Sequence, residues 1–343
     1  MQALVLAGGE GTRLRPLTLT LPKPVIPLAG RPFLSFMLDW LKRHGVDDVL
    51  LSCGYRSHDV ERVLGHEYRG MRLRYVVEDE PLGTAGPLRL AADEGALADD
   101  RILVLNGDTL TDLDLTAEIA EHDANRARAT LALVAVEDTA SYGVVPTTDT
   151  GEVEAFLEKQ PGPAPTNRIN AGAYVLERSV VEMIPPGRAV SIEREVFPEL
   201  VGDGLYGYHA DGYWIDIGTP ERYLDATYDL LAARVASELP RSDETASLIY
   251  DGCITSGARI GPLSVIGRHC VVGDDSIVER SALHDNVRVG HECEIVESVL
   301  AASVRVEDGA RIGPDAIVGA EATVAAGAVV APGARIQPGE RAE

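Results

Sequence analysis

Leu4-Val5-Leu6-Ala7-Gly8-Gly9-Glu10-Gly11-Thr12-Arg13-Leu14-Arg15-Pro16 opens the chain, and Leu21-Pro22-Lys23-Pro24 and Pro27 follow closely. Leu4 to Ala7 is a short apolar run of the kind that fills a buried parallel strand. The glycines come where the chain must turn sharply and present backbone N–H groups, as a phosphate cradle does. About twenty residues without regular periodicity separate this turn from the apolar helix expected from Pro32 onward. Pro16, Pro22, Pro24 and Pro27 each fix their own φ and restrict the residue before them, so the loop reads as stiff. It carries Arg13, Arg15 and Lys23 as fixed cations. Leu14 stands where the third glycine of a dinucleotide fingerprint belongs, and no G-x-x-x-x-G-K-[ST] occurs, so both of those phosphate-binding readings fail.

Taken whole, the Gly-Gly-x-Gly-Thr-Arg string with its later Pro-Lys-Pro closely resembles the signature of the sugar-1-phosphate nucleotidyltransferases. The resemblance implies a nucleoside triphosphate and a sugar 1-phosphate as substrates, Mg²⁺ as cofactor and a Rossmann-like nucleotidyltransferase domain. It places Leu6, Ala7, Gly8, Gly9, Gly11, Thr12 and Arg13 at the nucleotide, with Lys23 beside Arg13 as a second catalytic cation.

The rest of the first two-thirds agrees with an α/β domain. Apolar strands at Val49–Cys53, Leu73–Val77 and Ile102–Leu105 alternate with a helix stopped by Gly45 and one capped by Ser57, a rhythm that predicts a mainly parallel sheet with ligands at its carboxyl edge. Glu78-Asp79-Glu80-Pro81-Leu82-Gly83-Thr84 resembles the family's base-recognition loop, in wording nearest the guanylyltransferase branch. Guanine offers two adjacent donors that suit one ionised carboxylate, so Glu78 tilts the nucleotide toward GTP. Pro81, Gly83 and Thr84 belong to the same loop, whose backbone is a rival reader of the base.

Asn106-Gly107-Asp108 follows a buried strand, and the resemblance makes Asp108 a metal ligand; the plain reading is a common turn. Asp216, in the apolar stretch Tyr213-Trp214-Ile215-Asp216-Ile217, is the second metal candidate, because an unpaired carboxylate there is expensive to bury. Asn106, Gly143, Glu158, Lys159 and Asn170 are the expected sugar-side residues, with Lys159 neutralising the sugar phosphate. Gln160 stands where the family's Glu-Lys-Pro has proline. Thr219, Pro220 and Glu221 then start a helix expected to reach Ala236.

A formal net charge of −23 opposes nucleic acid and anionic membrane as partners. Only three of the 31 basic residues are lysines, so Lys23 and Lys159 stand out against an arginine-rich background, while Lys42 reads as a solvated charge. Cys53, Cys253, Cys270 and Cys293 lack C-x-x-C spacing and read as reduced thiols. No apolar run is long enough to span a bilayer, and Leu4–Ala7 lacks the form of a signal peptide, so a cytoplasmic protein is expected.

Residues 237–250 read as a linker between a transferase domain, 1–236, and a second domain, 251–343. There, Ile254, Ile260, Ile266, Val272 and Val278 fall six apart, as do Val306, Ile312, Val318, Val324, Val330 and Ile336; Leu283, Val289, Ile295 and Leu300 join the two blocks. These fifteen hexads, three to a turn, predict a left-handed parallel β-helix of about five coils, with glycines such as Gly267 and Gly273 at its corners. Such a stack invites homo-oligomers. Many hexapeptide proteins transfer acyl groups, and His269, His284 and His291 are candidate bases, although nothing beside them suggests a thioester site. A catalytically silent regulatory subunit is the other opposing class, disfavoured by the presence of Arg13, Asp108 and Asp216. Mannose 1-phosphate is the default sugar from the resemblance; another triphosphate, a heptose or a cyclitol phosphate is the alternative.

Overall fold

Runs such as Leu4-Val5 and Leu103-Val104-Leu105 are too short for buried helices and apolar on both faces, the pattern of strands covered from both sides. In the computed structural model they are central strands, and Leu4, Val5, Leu103 and Val104 are fully buried. The structure describes residues 1–54, 56–158, 164–240 and 246–343, with residue 158 described by its backbone alone. The chain forms two compact units, one of residues 1–9 and 37–214, the other of 10–36 and 215–343.

The first unit is built on a ten-stranded sheet. Gln2–Leu6 lies between Asp48–Cys53 and Arg101–Asn106, parallel to both, and Met71–Val77 extends the parallel set beyond Asp48–Cys53. Leu6 is in register with Ser52 on one side and Asn106 on the other, so the turns after three strands open along one carboxyl edge. The sheet as a whole is mixed. Arg168–Glu177 pairs antiparallel with Arg101–Asn106 and also with Ala129–Ala135 and Gly143–Val144. The parallel expectation therefore holds for the central strands and for Leu205–His209, which pairs parallel with Ala129–Ala135, while Arg168–Glu177 runs antiparallel between the two sets. Helix Ser57–Leu64 begins at Ser57 itself; the residue before it, Arg56, is left-handed, and no side chain caps the helix. Asp114 does cap its helix, accepting from the Ala117 N–H at 3.0 Å.

In the second unit the stretch after Gly9 is more regular than its sequence pattern. Turns Thr12–Leu14 and Lys23–Val25, the helical turn Leu17–Thr20 and the hairpin Pro27–Leu28/Arg31–Pro32 divide it into short pieces. Helix Pro220–Leu231 starts as expected, with Thr219 Oγ1 accepting from the Arg222 N–H, but stops five residues short of Ala236.

Beyond it, three parallel sheets of six, five and five strands stack as a left-handed β-helix. Its first strand, Leu248–Ile249, pairs with Val265–Ile266 and so falls inside the stretch read as a linker. The hexad aliphatics from Ile266 to Val330 fill the interior. Ile254 is the exception at 59 % exposure, because it lies on the opening coil with a neighbouring coil on one side only. Left-handed corners are taken by His269, Asp275, Asn286, Glu292, Ser303, Asp315 and Glu321, among others, and by Gly309, Gly327, Gly333 and Gly339, but not by the expected Gly267 and Gly273. Gly273 serves a different need: a Cβ there would lie 2.5 Å from the Gly290 carbonyl oxygen of the next coil.

His284 is buried in this stack, with Tyr223 and Asp285 as its polar and charged surroundings, and desolvation pushes its pKa down to about 4. Between that value and the ordinary one near 6.5 the unfolded chain binds a proton that the folded one does not, so stability falls as pH falls through this window. The expected loss is about 3 kcal/mol by the lower end. Urea unfolding at pH 7, 6 and 5 measures it, and His284→Gln, which cannot take up the proton, should remove that part of the slope.

Candidate active site

The carboxyl edge of the first unit gathers the expected nucleotide residues. Ala7 N–H donates to the Ser52 carbonyl at 2.8 Å and Gly107 N–H to the Leu6 carbonyl at 2.9 Å, which ties three strand ends together. A Cβ on Gly107 would lie 2.6 Å from the Leu6 oxygen, so only glycine fits there and Asp108 leaves the strand immediately beyond it. Gly8 lies against Glu78, whose Oε1 would stand 3.1 Å from a Cβ at that position.

Both Glu78 oxygens have work within the chain. Ser52 Oγ donates to Oε1 at 2.6 Å and the Leu82 N–H donates to Oε2 at 2.9 Å, pinning the loop from Glu78 to Leu82. The rest of that loop is clipped to residues far along the chain. Ala85 N–H donates to the Val190 carbonyl and Val190 N–H to the Leu82 carbonyl, both at 2.9 Å, while Gly83 packs directly on the Val190 backbone. Thr84 Oγ1 donates to Glu193 Oε2 at 2.7 Å and accepts from the Ile192 N–H at 2.8 Å.

Glu193 lines a cleft of about 290 Å³ together with Ser141, Tyr142, Gly143, Asn170, Ser191 and Arg194. Two expected sugar residues, Gly143 and Asn170, are thus brought together, and Gly143 is in register with Glu158 on the adjacent antiparallel strand. Asn170 spends part of its amide locally, accepting from the Gly172 N–H and donating to Tyr174 Oη. The Asn106 side chain packs on Gly172, where a Cβ would approach within 2.5 Å. Lys159 lies outside the described residues. Sequence reasoning assigned no role to Tyr142, Ser191, Glu193 or Arg194; the Ser191-Ile192-Glu193-Arg194 string was the available signal, but its contact with Thr84 spans more than a hundred residues.

The second unit holds the cationic loop. Gly11, at φ +62°, accepts at its carbonyl from Thr18 Oγ1 and from the Leu14 N–H, both at 2.9 Å. A Cβ on Gly11 would meet Thr18 Cγ2 at 2.8 Å and Lys23 Cβ at 3.2 Å. The loop therefore closes on itself, with Lys23 only 9 % exposed over the Gly11 turn. Arg15 departs from expectation: it is an exposed partner of Glu10 rather than a held cation.

Arg13 and Asp216 both lie beside Gly218. A Cβ on that glycine would stand 2.8 Å from the Arg13 Nη2 and 3.1 Å from Asp216 Oδ2, so the two side chains flank one position. Arg222, two residues into the helix that Pro220 starts, forms an ion pair with Asp216. The carboxylate is 20 % exposed and paired with Arg222, a partner that the burial argument for a metal did not weigh. Arg222 is the residue missed here, although its place in the first helical turn after Asp216 was visible.

Two aspartates offer hard oxygen donors, the chemistry Mg²⁺ prefers. Among the described residues no group of three or more acidic, His or Cys side chains forms a cage for a metal.

A glycine turn at the carboxyl edge of a parallel sheet, a buried lysine and an ion-paired aspartate are the local features of the site, and the chain belongs to the nucleotidyl transferase family, whose model matches residues 2–233. Residues 248–339 match the GMPPB C-terminal domain. Among curated relatives, a mannose-1-phosphate guanylyltransferase of Mycobacterium tuberculosis is 42 % identical over 300 residues, covering 86 % of this chain and 83 % of that protein. One from Schizosaccharomyces pombe is 39 % identical, over 79 % and 74 % of the two chains. A UTP–glucose-1-phosphate uridylyltransferase of Synechocystis is 31 % identical over 88 % and 87 %. The solved structure of HddC from Yersinia pseudotuberculosis complexed with GMP-PN superposes with a TM-score of 0.57 at 30 % identity, covering 66 % of this chain and 97 % of that one.

Proposed function

We propose that this enzyme transfers GMP from GTP to mannose 1-phosphate, releasing pyrophosphate. The observation that carries the reading is that Arg13, from the signature loop, and Asp216, the second metal candidate, flank the same glycine, Gly218. Relatives named for guanylyl transfer supply the substrates.

A sugar phosphate oxygen forms the new bond to the α-phosphorus while the bond from that phosphorus to the bridging oxygen of pyrophosphate breaks. No side-chain nucleophile is required, so the protein's work is to align two anions and stabilise charge on the leaving group. Gly8, Gly9 and Gly11 present backbone donors to the triphosphate, and Arg13 and Lys23 take the charge developing on pyrophosphate. Glu78, Pro81, Gly83 and Thr84 form the base loop. Asn106, Gly143, Glu158 and Asn170 orient the sugar, with Lys159 on its phosphate. Asp108 and Asp216 are the ligands for Mg²⁺, which when bound supplies charge neutralisation on the phosphates.

Among the described residues no helix is long and apolar enough to cross a membrane, and we place the enzyme in the cytoplasm as a homo-oligomer. Division into a transferase domain, 1–236, a linker and a β-helix belongs to the same reading.

A matrix of GTP, UTP, ATP and CTP against mannose, glucose and heptose 1-phosphates, read by pyrophosphate release, tests this. The GTP and mannose 1-phosphate pair is expected to exceed every other by at least about tenfold in kcat/KM, the order of discrimination that one mismatched polar contact provides. A preference for UTP with glucose 1-phosphate would instead align this chain with its uridylyltransferase relative.

A further inference from the structure

Four residues past Lys23 the chain makes the tight hairpin Pro27–Leu28/Arg31–Pro32, and its carbonyls need partners. They find them more than 190 residues away. Tyr223, on helix Pro220–Leu231, donates its hydroxyl to the Pro27 carbonyl. Tyr250, on the opening coil of the β-helix, donates to the Ala29 carbonyl at 2.8 Å. Arg268 Nη1 donates to the Gly30 carbonyl at 3.3 Å, and its guanidinium stacks 4.7 Å from the centre of the Tyr250 ring.

Two details argue that this clasp is built for position. Gly30 has φ +77° and its Cα touches the Tyr250 ring so closely that a Cβ would lie 2.1 Å from Cε2, leaving the hairpin no room to shift. Tyr223 has one proton and gives it to Pro27, so His284 Nε2, 3.0 Å from the same oxygen, is the donor that orients the phenol. The hairpin in turn connects to the cationic loop. Phe33 N–H donates to the Ile26 carbonyl at 2.9 Å and Ile26 N–H to the Lys23 carbonyl at 3.2 Å, and Lys23 packs on Gly11.

We infer that Tyr223, Tyr250 and Arg268 are positioning residues for the reaction: the β-helix holds the hairpin, and through it sets where Lys23 and the Gly11–Arg13 turn stand. This rests on the reading above that Arg13 and Lys23 take charge from the pyrophosphate. It gives the β-helix a part in turnover without contact to substrate.

The test uses the full chain carrying Tyr223→Phe and Tyr250→Phe, singly and together, each assayed well below its melting temperature. The double variant is expected to lower kcat by roughly ten- to a hundredfold, the scale on which displaced catalytic groups lose rate, with KM for the sugar phosphate unchanged. Hydrogen exchange should rise across residues 22–33 and stay unchanged in coils beyond residue 300. A cycle with Lys23→Ala separates position from general stability: Tyr250→Phe should cost less on that background than in the parent, the remainder acting through the Gly11–Arg13 turn. Independent, multiplying losses, or a double variant with kcat within twofold of the parent, would overturn the inference. If Arg13→Ala and Lys23→Ala themselves keep full turnover, the reading of the loop fails instead; if those two lose turnover and the tyrosine variants do not, only the positioning role is lost.

Discussion

Arg13→Ala is expected to lower turnover by about 10²–10³-fold, the loss that follows removal of one preorganised group from a site of developing charge. The magnitude rests on how firmly the guanidinium is held. Its backbone sits in the turn Thr12–Leu14, hydrogen-bonded back to Gly11, and its tip lies against Gly218, where no side chain would fit. Little reorganisation is then needed when charge appears. Arg13→Lys should recover only part of the rate, since an ammonium cannot reproduce a planar fork on a phosphate. Steady-state kinetics with melting temperatures in parallel check this; near-normal turnover in the alanine variant removes Arg13 from the mechanism.

A loss of about 10³-fold or more is expected for Asp216→Asn, and a similar one for Asp108→Asn, because Lewis-acid neutralisation of a phosphoryl group is worth several kcal/mol. The amide keeps the shape of the side chain and removes its charge. Asp216 also pairs with Arg222, so the variant should melt earlier as well. Arg222→Gln separates the two. It breaks the ion pair but leaves the carboxylate, and should lower stability without raising the Mg²⁺ concentration needed for half-maximal rate. A higher Mg²⁺ requirement in Asp216→Asn alone supports metal ligation; equal shifts in both variants would leave Asp216 a purely structural partner of Arg222.

Sequence was most informative where one periodicity acts alone. The hexad beat locates the β-helix interior almost residue by residue, failing at Ile254 because periodicity cannot say which coil lies at an end. The parallel core was legible from its fully apolar strands, whereas the antiparallel return of Arg168–Glu177 was not, since strand direction depends on a connection rather than on composition. Glycines misled in one respect: a sequence cannot tell a residue needed for positive φ from one needed for close approach, and Gly273 is the second kind.

At the site, the signature loop was legible because glycine and proline restrict the backbone locally. What escaped was tertiary. Glu193 reaching Thr84, Arg222 returning to Asp216 and Tyr250 reaching Ala29 each join segments whose spacing follows no local rule. At Asp216 the need for a partner was legible in the sequence, whereas the ion pair that Arg222 supplies was not.

The coil stack also has a near end and a far end. Among the described residues, the β-helix side chains that hydrogen-bond to the Pro27–Gly30 hairpin are Tyr250 and Arg268, both near its start. Shortening the chain at its C-terminus would fray a terminus and leave these two contacts in place, as nearest-neighbour stability implies. Removing an opening coil would instead unhook the hairpin while most of the stack still stood. The grip on the hairpin belongs to the rungs at the near end of the ladder.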